Sequence, residues 1–177
     1  MAVNKHPLFT LREMEERARE RMESPAPVTQ SKRWVGLLVR IGEQKLLIAT
    51  NEVREVFSYR RNPKPSVVPG AKVWLKGLAS LRGELLSIVD LGEYLQRLPC
   101  QLGLSARVIV TKHQHIRAGL LVDEVCGLRQ FAANEQQKAS ENETWATGAF
   151  ALGDEVYPVL SIESLGSNPE FCNAAYG

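Results

Sequence analysis

Residues 77–91 read GLASLRGELLSIVDL, two apolar runs that are separated by an Arg-Gly pair and followed by an aspartate. Short apolar runs bounded by turn residues are typical of buried strands. Gly83 is expected to adopt a positive backbone dihedral at the turn, where a side chain would cost on the order of 1 kcal/mol or more. The stretch therefore predicts a strand, an Arg82-Gly83-Glu84 turn and a second strand, with Asp90 capping a short helix over LGEYL.

The composition is that of a globular protein with a sizeable core, since 44% of the 177 residues are hydrophobic. No apolar run approaches the roughly 20 residues of a membrane span, and the first residues lack the apolar stretch of a signal peptide. We therefore expect a cytoplasmic protein. A net charge of +2 is too small to indicate nucleic-acid binding. Three widely spaced cysteines, Cys100, Cys126 and Cys172, predict neither a disulfide framework nor a zinc site.

The N-terminal part of the chain differs from the rest. Residues 8–22 predict a helix, because Thr10 and Glu13 form a capping-box pattern and apolar residues recur at helical spacing. A Ser-Pro-Ala-Pro run at 24–27 ends this helix and begins a polar linker. We accordingly divide the chain into an N-terminal helix and linker at 1–33, a main domain at 34–165 and a C-terminal tail at 166–177.

The main domain contains a weak internal repeat. Asn51-Glu52-Val53 matches Asp123-Glu124-Val125 at an offset of 72, and Trp74-x-x-Gly77 matches Trp145-x-x-Gly148 at an offset of 71. We interpret this as a duplication, with subdomains at about 34–97 and 105–165.

Each copy predicts about five short strands and one-turn helices, with Asn51, Asp123 and Ser161 as helix caps. Segments EVREVF and EVCGL are predicted as helical turns after two of these caps. Closing so small a sheet into a barrel removes its exposed edges. The predicted fold is therefore all-β, with two five-stranded barrels related by duplication and a groove between them.

The run LKGLASLRGELLSIVDL at 75–91 resembles the signature of the CheW-like domain, the coupling-protein family of bacterial chemosensory systems. Ser80 and Ser87 stand where the family pattern has Asn and Pro. GLLVDEV at 119–125 resembles a second family segment, and the resemblance extends from about Trp34 to Leu165. It implies two SH3-like barrels. Within the family, the chain looks most like the adaptors of type IV pilus, or twitching, chemosensory systems.

The resemblance implies a non-catalytic adaptor without a cofactor. Such an adaptor joins the cytoplasmic tip of a methyl-accepting chemotaxis receptor to the regulatory domain of a CheA-type histidine kinase. It is recruited to membrane receptor arrays without inserting into the membrane. A flagellar CheW-type coupling protein, a small-barrel nucleic-acid-binding protein and an enzyme remain as alternatives. The sequence contains no nucleophile-elbow, phosphate-loop, dinucleotide-binding or zinc-protease motif, which disfavours the enzyme.

The resemblance also implies a receptor-binding surface, which comprises Arg82, Val53, Glu55, Gly77, Val122 and Val125. The planar guanidinium of Arg82 can hold a partner's carboxylate or carbonyl groups, whereas an internal salt bridge to Glu55 or Asp90 is the alternative role. The alternative for the valines is a role in the core, which is the more common one for a lone valine.

Other polar residues receive structural interpretations. Gly83 serves the turn, and Asp90 and Asp123 are interpreted as helix caps rather than binding carboxylates. His113 and His115 would point the same way on a strand, but no third ligand lies near in sequence. We therefore predict a hairpin tip there and no metal site.

Overall fold

The computed structural model describes residues 33–61, 64–95, 98–113 and 116–174. The helix predicted at 8–22 and its linker lie outside the described residues. In chain order the strands are β1 (Arg33–Ile41), β2 (Gln44–Ala49), β3 (Val53–Ser58), β4 (Leu75–Leu81), β5 (Glu84–Asp90), β6 (Arg107–Thr111), β7 (Ala118–Val122), β8 (Glu124–Ala132), β9 (Ala146–Leu152) and β10 (Glu155–Leu160). The short helices are α1 (Leu91–Tyr94), α2 (Ile162–Ser167) and α3 (Pro169–Cys172).

The strands form two five-stranded sheets. The first sheet has the order β8-β1-β2-β10-β9, and the second sheet has the order β3-β6-β7-β5-β4. Each sheet contains one parallel pair, β2 with β10 in the first and β5 with β7 in the second, and its other pairs are antiparallel. The predicted all-β fold with two five-stranded units is confirmed.

The two halves of the chain exchange strands between these sheets. The first sheet combines β1 and β2 with β8, β9 and β10, whereas the second combines β3, β4 and β5 with β6 and β7. The predicted subdomain boundaries at 34–97 and 105–165 therefore do not coincide with the sheets. A sequence repeat gives the order of the elements, but it does not say whether a hairpin pairs within its own copy or with the other one.

The strand registers preserve the duplication. Val39 pairs with Val125 in the first sheet, and Thr111 pairs with Val53 in the second, so each partner is displaced by 72 positions. Both ladders contain an irregularity next to this pair, where a β-bulge skips one residue. The two sheets are therefore equivalent in pairing as well as in strand order.

A hydrogen bond from the end of the fifth strand to the residue before the fourth strand is equivalent in the two copies as well. The backbone N–H of Asp90 donates to Trp74 O at 2.8 Å, and that of Ser161 donates to Trp145 O at 3.0 Å. Both pairs are related by the offset of 71. The internal duplication inferred from the sequence is therefore present in the hydrogen bonds.

The main core lies between the two sheets. Alternate residues of β1, namely Leu37, Val39 and Ile41, belong to a buried cluster that also includes residues of the second sheet such as Ile88. Leu38 points the other way and joins a smaller cluster around Phe150. This two-residue alternation is the consequence of strand geometry. It leaves β1 covered on both faces, since burial is nearly complete from Leu37 to Val39.

Two predictions of local structure are wrong. The segments EVREVF and EVCGL do not form the predicted helical turns, because residues 53–57 lie in β3 and residues 124–128 lie in β8. Asn51 lies inside the 3-10 turn Thr50–Glu52, which has no side-chain cap. Asp123 precedes a strand rather than a helix. In both places pairing with β6 or β1 outweighs the weak local preference for a cap.

Candidate functional site

The turn between β4 and β5 contains an arginine whose backbone conformation is one that residues other than glycine seldom adopt. Arg82 has a φ of 51° and Gly83 a φ of 85°, and the flanking Leu81 and Glu84 pair with each other. Positive φ at both central residues is the type I′ hairpin turn, in which Asn-Gly is the preferred sequence. The equivalent turn between β9 and β10 has Gly153 at the position of Arg82, with a φ of 63°. The turn geometry therefore does not require an arginine.

Among the residues that the structure describes, the side chain of Arg82 makes one ion pair, and most of it is exposed. Its Nη2 atom lies 3.2 Å from Glu55 Oε2, but 81% of the Arg82 side chain is exposed. An ion pair this exposed contributes roughly 0–1 kcal/mol. The alternative pairing with Asp90 does not form, because that carboxylate is 3.5 Å from Lys76 Nζ. Arg82 therefore forms the internal salt bridge with Glu55 while most of its side chain stays accessible to a partner.

Two further charged residues, which the sequence analysis did not identify, complete this cluster. Arg54 forms ion pairs with Glu84 and, at 3.7 Å, with Glu55. We call Arg54, Glu55, Arg82 and Glu84 the turn-edge cluster. β3 is an edge strand of the second sheet, and Arg82 and Glu84 lie at the β4–β5 turn, so this cluster links that edge to the turn. In the sequence, only the neighbouring opposite charges of Arg54 and Glu55 in β3 indicated such a cluster, and surface charges of this kind are usually solvated.

Apolar side chains lie beside the turn-edge cluster. Leu85 is 59% exposed, although its neighbour Leu86 is buried, because successive residues of β5 face opposite sides of the sheet. Val56 on β3 is also exposed, and Val53 on the same strand is half-buried against the core. This part of the second sheet therefore offers both fixed charges and apolar contact area.

The structure places the remaining predicted receptor contacts differently. Val122 is completely buried in β7, so it acts as a core residue and a partner cannot touch its side chain. Gly77 is also buried, with a φ of 130°, and a Cβ there would lie 2.1 Å from Ser66 O. Val125 is half-buried on β8 and is the counterpart of Val53 in the duplication. Of the predicted set, Arg82 and Glu55 are in direct contact.

Asp90 has the predicted capping role. Its Oδ1 atom accepts a hydrogen bond from the backbone N–H of Glu93 at 3.1 Å, at the start of α1. It also accepts from the backbone N–H of Cys100. Burial raises the pKa of the Cys100 thiol well above its usual value, and the nearby Asp90 carboxylate raises it further. Cys100 is therefore a neutral structural thiol, and Asp90 is not available to a ligand.

Asp123 organises loops instead of capping a helix. The buried carboxylate accepts from the backbone N–H of Gly42 at 2.7 Å and from that of Gln101 at 2.6 Å. Arg40 Nη1 lies 3.3 Å from its Oδ2 atom. Three donors satisfy this carboxylate, so its role is structural.

The described residues contain neither a metal-binding cluster nor a membrane-spanning helix. In these ranges, no group of three His, Cys, Asp or Glu side chains is arranged to hold a metal ion. His115 of the possible histidine pair lies outside them. None of the described helices is long and apolar enough to span a membrane.

Comparison with known proteins identifies a family and relatives of this chain. The model of the CheW-like domain matches residues 35–170. The chain is 35% identical over 127 residues to Protein PilI of Pseudomonas aeruginosa, covering 71% of this chain and 69% of that protein. It is 26% identical over 109 residues to Chemotaxis protein CheW of Bacillus subtilis, covering 58% and 70% of the two chains.

A solved structure shows the same fold. The scaffolding protein TtCheW from Thermoanaerobacter tengcongensis matches with a TM-score of 0.66 and 16% identity, covering 73% of this chain and 89% of that one. The match of the family model spans most of the chain, and the similarity to Protein PilI is extensive. The chain therefore belongs to the CheW-like domain family.

Proposed function

We propose that this protein couples a methyl-accepting chemotaxis receptor to a CheA-type histidine kinase in a type IV pilus chemosensory system. The pilus assignment is supported by the 35% identity to Protein PilI. A flagellar chemotaxis coupling protein is the second candidate, supported by 26% identity to CheW proteins of Bacillus subtilis and Rhizobium etli. The higher identity favours the pilus system.

The exposed Arg82 carries the proposal. A non-glycine residue in the left-handed region costs roughly 1–2 kcal/mol, and the exposed pair with Glu55 returns at most about 1 kcal/mol. Gly153 occupies the equivalent turn without this cost. A strained backbone conformation whose side chain adds little to the stability of the fold is a reason to infer a functional role. The guanidinium fork suits a carboxylate or the carbonyl groups at a helix end.

The surroundings of Arg82 suit the helical tip of a receptor. Recognition of a helix requires apolar anchors within a polar rim. The exposed Leu85 and Val56 supply apolar area, and the turn-edge cluster supplies the charges. The fixed ion pairs hold Arg82 at the sheet edge before the partner arrives, which reduces the ordering cost of binding.

Coupling then requires a second partner on another face. The regulatory domain of a CheA-type kinase is built from similar paired barrels, which favours contact between barrels. If receptor and kinase bind together, a change in receptor conformation alters kinase activity through differential contacts in the assembly. No chemical step by this chain is needed.

The decisive experiment is capture of a receptor's cytoplasmic fragment by purified protein. Arg82→Glu should abolish capture while changing Tm by no more than about 4 °C, because the lost ion pair is exposed. Arg117→Glu is the matched control, since Arg117 is also exposed and undergoes the same charge reversal. It should retain capture. Wild-type capture by Arg82→Glu, or its unfolding, would refute the assigned role.

Two further measurements separate the components of the proposal. Arg82→Glu should retain binding of the kinase regulatory domain, so that loss of both partners would indicate general misfolding. A deletion strain should lose twitching and retain swimming motility. The reverse pattern would support the flagellar candidate.

A further inference from the structure

The segment at 98–101 joins the two halves of the chain. It lies in a cleft formed by other residues of the same chain, and we call this cleft the seat. The backbone N–H of Cys100 donates to Asp90 at 3.2 Å, and that of Gln101 donates to Asp123 Oδ1 at 2.6 Å. Cys100 Sγ lies 3.3 Å from the carbonyl oxygen of Leu121. A Cβ added to Gly92 would lie 2.6 Å from Leu98 O, so the segment passes directly over this glycine.

The duplication gives this seat a counterpart elsewhere in the molecule. The offsets of 71 and 72 relate the four positions of the seat to four others. Asp90, Gly92, Leu121 and Asp123 correspond to Ser161, Glu163, Ala49 and Asn51. All four counterparts line one open cleft of about 420 Å³. This volume lies in the range of about 300–1,000 Å³ that is typical of binding clefts.

The open cleft offers hydrogen-bond acceptors at two of the equivalent positions. Glu163 stands where Gly92 leaves room for Leu98 O, so a bound segment follows the path of the segment at 98–101 at these acceptors and lies farther from the chain over Glu163. Ser161 Oγ accepts one bond from the backbone N–H of Ser164, and a hydroxyl oxygen has a second lone pair. The side-chain amide of Asn51 provides an oxygen at the position of the Asp123 carboxylate. Glu52 and Glu163 add two carboxyl groups to the lining. Burial raises the pKa of Glu52, and Glu163 raises it further, so added negative charge is disfavoured there.

We propose that this cleft binds an extended segment of a partner protein in which a proline precedes a small apolar residue and a polar residue. Pro99-Cys100-Gln101 shows this pattern in the equivalent seat. The partner's backbone N–H groups donate to Ser161 and Asn51, and its small apolar side chain occupies the place that Cys100 has in the other half. The carboxyl groups select against acidic segments. Arg82 and Glu55 do not line the cleft, so this inference goes beyond the proposed receptor site.

Binding can be tested with a fluorescent peptide that copies residues 96–104, with valine in place of the cysteine. Anisotropy with the full-length wild-type chain should show saturable binding. Thr147→Trp should abolish it, because Thr147 is exposed on β9 and lines the cleft. Ala151→Trp, on the same strand but outside the lining, should bind as the wild type does. Asn51→Leu, which removes one acceptor, should weaken binding about fivefold.

Specific outcomes would overturn the proposal. One is the absence of saturable binding at about 1 mM peptide. Another is unchanged affinity in both Thr147→Trp and Asn51→Leu. A second peptide copies residues 24–32, because Pro27-Val28-Thr29 has the same pattern 72 positions before Pro99-Cys100-Gln101. Binding of this second peptide alone would overturn the assignment to a partner in favour of this chain's own sequence.

Discussion

Replacing Arg82 by asparagine should separate the function of the β4–β5 turn from its stability. Asn-Gly is the preferred sequence of a type I′ turn, because asparagine tolerates the left-handed region that arginine avoids. At a φ of 51°, the change relieves local strain. It also removes the only side chain of the turn that can hold a partner by a guanidinium fork. The fold should therefore be kept while binding is lost.

The expected change in stability follows from two opposing terms. Relief of the left-handed strain should contribute about 0.5–1 kcal/mol in favour of the variant. Loss of the pair with Glu55 should cost about 0–1 kcal/mol, since 81% of the Arg82 side chain is exposed. The net change lies between about −0.5 and +1 kcal/mol. For a domain of this size, Tm should shift by about −2 to +4 °C.

Binding should change far more than Tm does. An arginine that anchors an interface contributes about 2 kcal/mol or more, which corresponds to roughly a 30-fold loss of affinity. Calorimetric titration of a receptor's cytoplasmic fragment measures this loss, and thermal unfolding of the same samples measures stability. Arg117→Asn is the matched control and should change neither quantity. A fall in Tm of more than about 4 °C would show that the ion pair holds the fold. Unchanged affinity would show that the guanidinium does not contact the receptor.

Three other substitutions test the structural interpretation. Gly77→Ala places a Cβ 2.1 Å from a backbone oxygen at a φ of 130°, and should lower the free energy of unfolding by about 2–4 kcal/mol in urea titrations; a change below about 1 kcal/mol would contradict this. Asp123→Ala leaves two loop N–H groups without their acceptor and should cost about 2–4 kcal/mol by the same measurement, whereas the exposed Asp154→Ala should cost little. Burial raises the pKa of Glu52, so the folded state binds its proton more tightly than the unfolded state does and ionisation destabilises the fold as pH rises. Glu52→Gln should therefore raise Tm at neutral pH, and the difference should shrink towards about pH 4; a constant difference would disprove this cause.

The sequence predicted the local elements where several signals agreed. In residues 77–91, apolar runs, turn residues and a capping aspartate all indicated the same hairpin, and the structure contains β4, the turn, β5 and α1 there. The position of Gly83 and the cap at Asp90 followed from simple backbone geometry. The family signature supplied the fold on a larger scale.

Features that depend on distant contacts were not predictable. Asn51 and Asp123 were good cap residues by type, but the strands that follow them pair with distant partners. The exchange of strands between sheets was invisible for the same reason. Arg54 and Glu84 are ordinary surface charges in sequence, and only the approach of β3 to the β4–β5 turn makes them part of the turn-edge cluster.

The duplication provides internal controls for deciding which residues the fold needs. Gly77 and Gly148 occupy equivalent positions in the two halves. At both positions a Cβ would meet a backbone oxygen, and packing therefore requires a glycine in each half. At the β4–β5 turn the halves differ, because Arg82 stands where the other half has Gly153. Glu55, which pairs with Arg82, likewise corresponds to Gly127. The two sheets have equivalent strand orders and registers although these residues differ. The arginine and glutamate of the first half are therefore dispensable to the architecture, which makes this face of the second sheet the place where recognition of a partner should be sought.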